Sequence, residues 1–298
     1  MKKIFLAVLA IVGVCNTTSA QYTPQKNDIS VEVGFTPFAA HGDVFKLNDE
    51  AQFKVRWMVS DKDALRFKLG VGIDNNTNTT DYTTGEKVII NPTAPSTYTY
   101  GTQETKNKKT AFSINVGYER HFNISDRIDL YAGGEFGFTT ISRSATENDN
   151  YVTEGYDANG TLVSTGTWSV NKEYTSMDAN RNNSLNQFTV AALAGIDFYV
   201  YKGLYLGAEL GIKFATGKSA NKGYYTQSTS MNGYDYTAKT AQSSITNYSS
   251  ETGLTTGTYT DGATTTIVNQ YGPKEVYETS NTSLKFYVEP AFRLGLMF

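Results

Sequence analysis

Cysteine is all but missing from this chain: Cys15 is the only one in 298 residues. It falls inside an N-terminal stretch that reads as a secretion signal, so the mature chain is expected to carry none. That excludes disulfides, thiolate metal sites and cysteine nucleophiles together. Histidine is nearly as scarce, with His41 and His121 far apart in sequence, and His121, near a short turn, reads as an interface residue. Basic residues do not exceed acidic ones, at 26 against 29, so there is no cationic footprint for nucleic acid. Long apolar runs are lacking too. Beyond residues 4–14 no stretch could form a membrane helix, although 39% of residues are apolar. A bilayer protein of this composition has to be a β-barrel, because only helices and closed barrels satisfy the backbone in lipid.

What is present begins with the signal. Lys2 and Lys3 precede the apolar run, and Thr18, Ser19 and Ala20 form a small-residue cleavage site before Gln21. The run is too short to span a bilayer as a helix. Lipidation at Cys15 fits poorly, since Val14 stands where such sites want a small residue. Removal of residues 1–20 leaves 24 basic residues against 29 acidic ones, a net charge of −5. Residues 21–27 read as a short periplasmic segment and residues 28–298 as one domain.

Strict alternation of apolar and polar residues marks a strand with two different faces, and it occurs eight times. The apolar sets start at Ile29, Phe53, Leu65, Phe112, Leu130, Phe188, Leu204 and Leu284. Short polar turns separate the second and third, fourth and fifth, and sixth and seventh segments. The other connections are long, near residues 37–51, 74–110, 140–186 and 215–283, and rich in Thr, Asn, Tyr, Gly and Ser. Short turns at one end and long loops at the other are the pattern of an outer-membrane barrel. The expected fold is therefore all-β: a transmembrane, antiparallel, up-and-down barrel of eight strands with both termini in the periplasm. Units such as YDANGTLV from Tyr156 and YTDGATTTIV from Tyr259 read as turns leading into β-branched strands, so the loops are expected to extend hairpins above the membrane.

The polar faces decide which side is wet. They are crowded with glycine, among them Gly117, Gly137, Gly195 and Gly295, which suits a narrow lumen rather than an exposed sheet. Their charges are sorted. Lys54, Arg56, Arg66 and Lys68 stand on the second and third strands, Glu32 on the first, Glu135 on the fifth, Asp197 and Glu209 on the sixth and seventh, and Glu289 and Arg293 on the last. Charges confined in a lumen must pair to offset their desolvation; this cluster is read either as structural struts or as an ion path. On the apolar faces, Phe35, Phe53, Phe112, Phe138, Phe188, Phe214 and Phe286 mark one membrane interface, and Trp57, Tyr118 and Phe198 the other. Pro290 inside the last strand predicts a bulge or break.

These segments, lumen charges and aromatic belts resemble the small eight-stranded outer-membrane barrels, the OmpA/OmpX-like and porin-related group of Gram-negative bacteria. The last strand, with Phe292, Leu294, Leu296 and a terminal Phe298, looks like that group's targeting signal for the barrel-assembly machinery. The junction Ala20-Gln21 looks like those of secreted proteins of the Bacteroidota. The resemblance implies outer-membrane lipid and the assembly machinery as partners, and a monomer.

No metal site, cofactor motif or catalytic constellation stands out. His41 and Asp43 are the nearest approach to one, and the chain is read as a non-enzyme. The expected function is structural or interactive, carried by tyrosine-rich loops that contact an extracellular ligand or host surface over a side-chain-filled lumen. A narrow porin for ions or small solutes is the alternative, and an outer-membrane enzyme comes after it.

Overall fold

Every regular element among the described residues is a β-strand, and every pairing between strands is antiparallel. The computed structural model describes residues 23–35, 51–84, 96–201, 203–219 and 222–297. The signal segment, His41, Asp43 and Phe298 lie outside the described residues. So do the side chains of Phe35, Phe286, Glu289, Phe292, Arg293 and Leu294.

Eight strands close a ring: β1 (Ile29–Phe35), β2 (Ala51–Met58), β3 (Asp63–Thr84), β4 (Ser96–Ser125), β5 (Ile128–Tyr156), β7 (Leu185–Tyr201), β8 (Leu204–Lys218) and β13 (Ser280–Met297). Each pairs with the next, β5 pairs with β7, and β1 returns to β13, with Ser30 opposite Met297. The sheet is thus barrel-like, with no free edge along this cycle. All eight alternating segments fall on these strands. The expected count of eight is nonetheless too low, because thirteen strands form among the described residues.

The difference lies in the long connections, which are mostly strand rather than loop. β3 has 22 residues, β4 has 30 and β5 has 29. A strand needs only about 9–11 residues to cross a bilayer, and β5 stays in the ring only as far as Ile141, so about half of it, with the part of β4 paired to it, continues beyond the ring. At ~3.3 Å per residue this is tens of ångströms. Along the upper half of β5 the sheet then adds β6 (Leu162–Thr175), β9 (Tyr224–Asp235), β10 (Thr240–Ser249), β11 (Leu254–Asp261) and β12 (Thr264–Tyr271), in the spatial order β5-β6-β9-β10-β11-β12. The β5–β6 turn is pinned by Asp157, whose Oδ1 accepts the amides of Asn159 and Thr161, each at 2.8 Å. Gly160 supplies the left-handed backbone that the turn requires, at φ 76°. The ladder between β13 and β8 shifts register between Glu289 and Arg293. That is the irregularity expected at Pro290, which has no amide hydrogen to donate.

Within the ring the usual order of burial is reversed. Val190 is 54% exposed and Leu210 60%, whereas Arg56 is 2% exposed and Asp197 fully buried. The apolar exterior includes Phe53, Trp57, Phe67, Leu69, Ile114, Val116, Tyr118, Phe136, Phe188, Ile212 and Phe214. Backbone register sets Phe53, Leu69, Ile114, Phe138 and Phe188 side by side in one continuous row. Contiguous apolar surface of this kind marks contact with lipid or with another apolar partner.

Candidate functional site

The interior of the ring is built from an awkward register. On β2 and β3, Arg56 stands directly opposite Arg66, and Lys54 opposite Lys68. Across the ring Asp129 on β5 stands opposite Asp197 on β7. Like charges directly opposed on neighbouring strands destabilise a sheet, so each set needs the other. β2 and β7 lie four strands apart around the ring, as do β3 and β8. Arg56 reaches Asp197 at 2.5 Å and Arg66 reaches Glu209 at 3.0 Å. Two diametric ion pairs therefore bolt opposite walls together.

Shorter links complete the network. Glu32 accepts Lys54 at 2.9 Å and Arg56 at 2.6 Å. Glu135 lies 3.0 Å from Arg66 and 4.0 Å from Lys68. Glu119 stands at the centre, 3.0 Å from Arg56 and 2.6 Å from Arg66. The sequence reading did not place Glu119 in the cluster. It shares the parity of Asn115 and Gly117 on β4, and that was the available signal. His121 was expected at the membrane interface and is instead buried in the lumen, with Nδ1 2.5 Å from Asp129 and Nε2 3.4 Å from Glu119. It stands near the lower end of β4 with the parity of Glu119, so its side chain points inward at the ring's rim.

Three tyrosines close the remaining space. Tyr131, Tyr199 and Tyr205 are at most 2% exposed. The Tyr131 hydroxyl donates to Glu209 at 2.8 Å and the Tyr205 hydroxyl to Glu32 at 2.7 Å. The Arg56 guanidinium lies 4.6 Å from the Tyr131 ring centre, a cation–π distance. Glycine makes room for these rings. A methyl group on Gly195 would lie 2.2 Å from the Tyr131 ring, and one on Gly295 2.0 Å from the Tyr205 ring. The glycine face thus holds aromatic side chains leaning across from neighbouring strands.

At the upper mouth, residues 176–184 pack onto the sheet. Met177 is fully buried against Ala145 and Tyr174, with Ala179, Tyr225 and Tyr277 around it. Asn107 accepts the Ala179 amide at 3.0 Å, and Asn183 donates to the Tyr277 carbonyl at 2.5 Å. Burial there pushes the Tyr225 phenol up to about 12.

The predicted belt residues Phe53, Phe112, Phe188, Phe214, Trp57, Tyr118 and Phe198 are exposed on the outer wall, and Phe138 packs at 5.1 Å on Phe188. Leu296 pairs with Val31 and Leu204, on the seam that closes the ring. Among the described residues no group of three or more His, Cys, Asp or Glu side chains is arranged to hold a metal ion.

No curated protein and no solved structure matches the chain. Residues 39–215 match the Putative OmpA-OmpF-like porin family. That span covers more than half of the chain, from ahead of β2 through most of β8, and includes Lys54, Arg56, Arg66 and Lys68. The chain belongs to the OmpA-OmpF-like porin family.

Proposed function

We propose that this protein is an outer-membrane barrel with a sealed lumen, and that its function is structural or interactive, carried by the sheet above the membrane. The observation that carries this reading is burial. Lys54, Arg56, Arg66, Lys68, Glu119, Glu135, Asp197 and Glu209 are all at most 7% exposed. A water-wide channel would leave its lining side chains wet. An eight-stranded ring has an interior that side chains just fill, and here ion pairs and tyrosines fill it. The inverted exposure of the wall, the family and the short lower turns support an outer-membrane placement with both termini in the periplasm.

The narrow-porin reading draws on the family and on the sorting of lumen charges, with cations on β2 and β3 facing acids on β5, β7 and β8. Planar-bilayer recording of the refolded mature protein separates the two. A folded, inserted protein without conductance steps supports the sealed barrel. Reproducible steps whose ion selectivity shifts on Arg56→Gln would make the lumen a filter and overturn it. The interactive role has its own test. Gly223 and Tyr277 exchange backbone hydrogen bonds at 2.9 and 2.8 Å, so residues 224–276 can be excised across a short bridge. Loss of surface binding with the barrel still assembled is the expected result.

A further inference from the structure

Backbone register assembles an aromatic row that no sequence spacing reveals. Tyr82 on β3, Gly101 on β4, Tyr151 on β5, Trp168 on β6, Met231 on β9, Ser244 on β10 and Tyr259 on β11 are successive partners across the upper sheet. Directly paired residues share a face, so this row lies on one side. It is the side continuous with the lumen, because Tyr151 has the same parity on β5 as Asp129, Tyr131 and Glu135.

The rings form a connected set. Tyr82 and Tyr151 lie 5.1 Å apart and Tyr151 and Trp168 6.1 Å apart, both edge to face. Gly101 makes the first contact possible: a methyl there would lie 2.8 Å from the Tyr151 ring and 2.0 Å from the Asn150 carbonyl oxygen. Trp168 is nevertheless 48% exposed and Tyr82 44%. Contiguous rings left this open on one sheet face form a patch of the kind that marks a ligand site.

The flanking rows identify what fits. On one side the register brings Thr80, Gln103, Asp149, Val170 and Thr229; on the other, Thr84, Thr99, Thr153, Gly166 and Gly233. Hydroxyl and amide groups border the rings, and Asp149 is the one charge in these rows. Asp149 is half-buried and its Oδ1 has no hydrogen-bond partner, an acceptor left without a donor. This charge pattern suits an uncharged ligand and opposes anionic polymers, nucleic acid or acidic lipid headgroups. A protein anchor would want a wider apolar surround that excludes water. Pyranose rings match the pattern: an apolar C–H face stacks on an aromatic ring, and equatorial hydroxyls meet side-chain hydroxyls, amides and a carboxylate.

We propose that the Tyr82–Tyr151–Trp168 row is a binding site for neutral oligosaccharides. The proposal rests on the reading of the upper sheet as the interacting part of the molecule. The test uses the full mature chain in lipid nanodiscs on an array of neutral hexose and N-acetylhexosamine oligosaccharides, with sulfated and sialylated ones alongside. Retention on neutral glycans is expected, weakened about tenfold or more by Trp168→Ala and partly restored by Trp168→Phe. Tyr100→Ala, on the opposite face, should leave it unchanged. Failure of the folded protein to bind any neutral glycan overturns the proposal, as does preference for charged glycans or indifference to Trp168→Ala. Attachment to cell or matrix-protein surfaces that is lost on excision of residues 224–276 but survives Trp168→Ala would sink the glycan site and leave the interactive reading standing. Attachment to nothing, with the barrel assembled, would sink both.

Discussion

Arg56 touches Glu32, Glu119 and Asp197 at once, and all three acids are at most 1% exposed. Its removal strands buried carboxylates, which typically costs about 3–5 kcal/mol. Arg56→Ala should therefore lower the urea midpoint of the heat-modifiable folded form sharply. Arg120→Ala breaks an exposed pair with Asp63, which water screens, and should move the midpoint little; equal losses for the two variants would show that the lumen network is not a strut. A second test exploits the close fit of ring and glycine. Gly195→Ala should cost about 1–3 kcal/mol by forcing the Tyr131 ring aside, and close to nothing in a Tyr131→Ala background, a coupling that a double-mutant cycle measures. At this scale the sequence was informative about the charges and poor about the rings. Alternation and sorted signs sufficed to place Arg56, Arg66, Asp197 and Glu209 on facing walls. Tyr131, Tyr199 and Tyr205 gave no such sign, because a tyrosine on a polar face has the same parity whether it meets water or fills a lumen. His121 misled for a related reason: nearness to a turn fixes depth along a strand and says nothing about side.

The eight ring strands were legible because each has one apolar face, and β6, β9, β10, β11 and β12 were not because neither of their faces is apolar. Thr, Ser, Asn and Gln on both sides leave no period of two for the eye to find, and only turn residues betrayed the hairpins. Asp157 is such a residue. Backbone amides from Thr161 and Asn159 hold its carboxyl below the ordinary carboxylate range. A depressed folded pKa gives a contribution present above the unfolded value, about 3.9, and lost as pH falls through the folded one. Protection of the Thr161 amide from exchange, corrected for intrinsic rate, should therefore persist down to pH 4 and fail below it. Asp157→Ala should remove that protection at every pH. Unchanged protection in the variant would mean that the turn is held by Gly160 and the ladder alone.

The molecule as a whole is a closed ring whose strands β3, β4 and β5 run on into a sheet grown to one side. The lower half of β5 pairs with β7 and the upper half with β6, so β5 is the strand at which the sheet leaves the ring. Excision of residues 224–276 should leave the folded band on an unheated gel in place, whereas substitutions at the β1–β13 seam should abolish it. The seam has a further consequence, and it concerns time. The hairpins of the upper sheet are local and can pair early, but Ser30 meets Met297 only after everything between them has been placed. Loop closure over nearly the whole chain is the slowest kind of contact to make, so the ring stays open until the end of assembly. On the outer-membrane placement proposed above, the upper sheet has to cross the bilayer, and the open ring is the stage at which it can. The composition of β9 to β12 suits the journey: from residue 224 to 271 the only charges are Asp235, Lys239, Glu251 and Asp261, and each further charge would have added to the cost of passage.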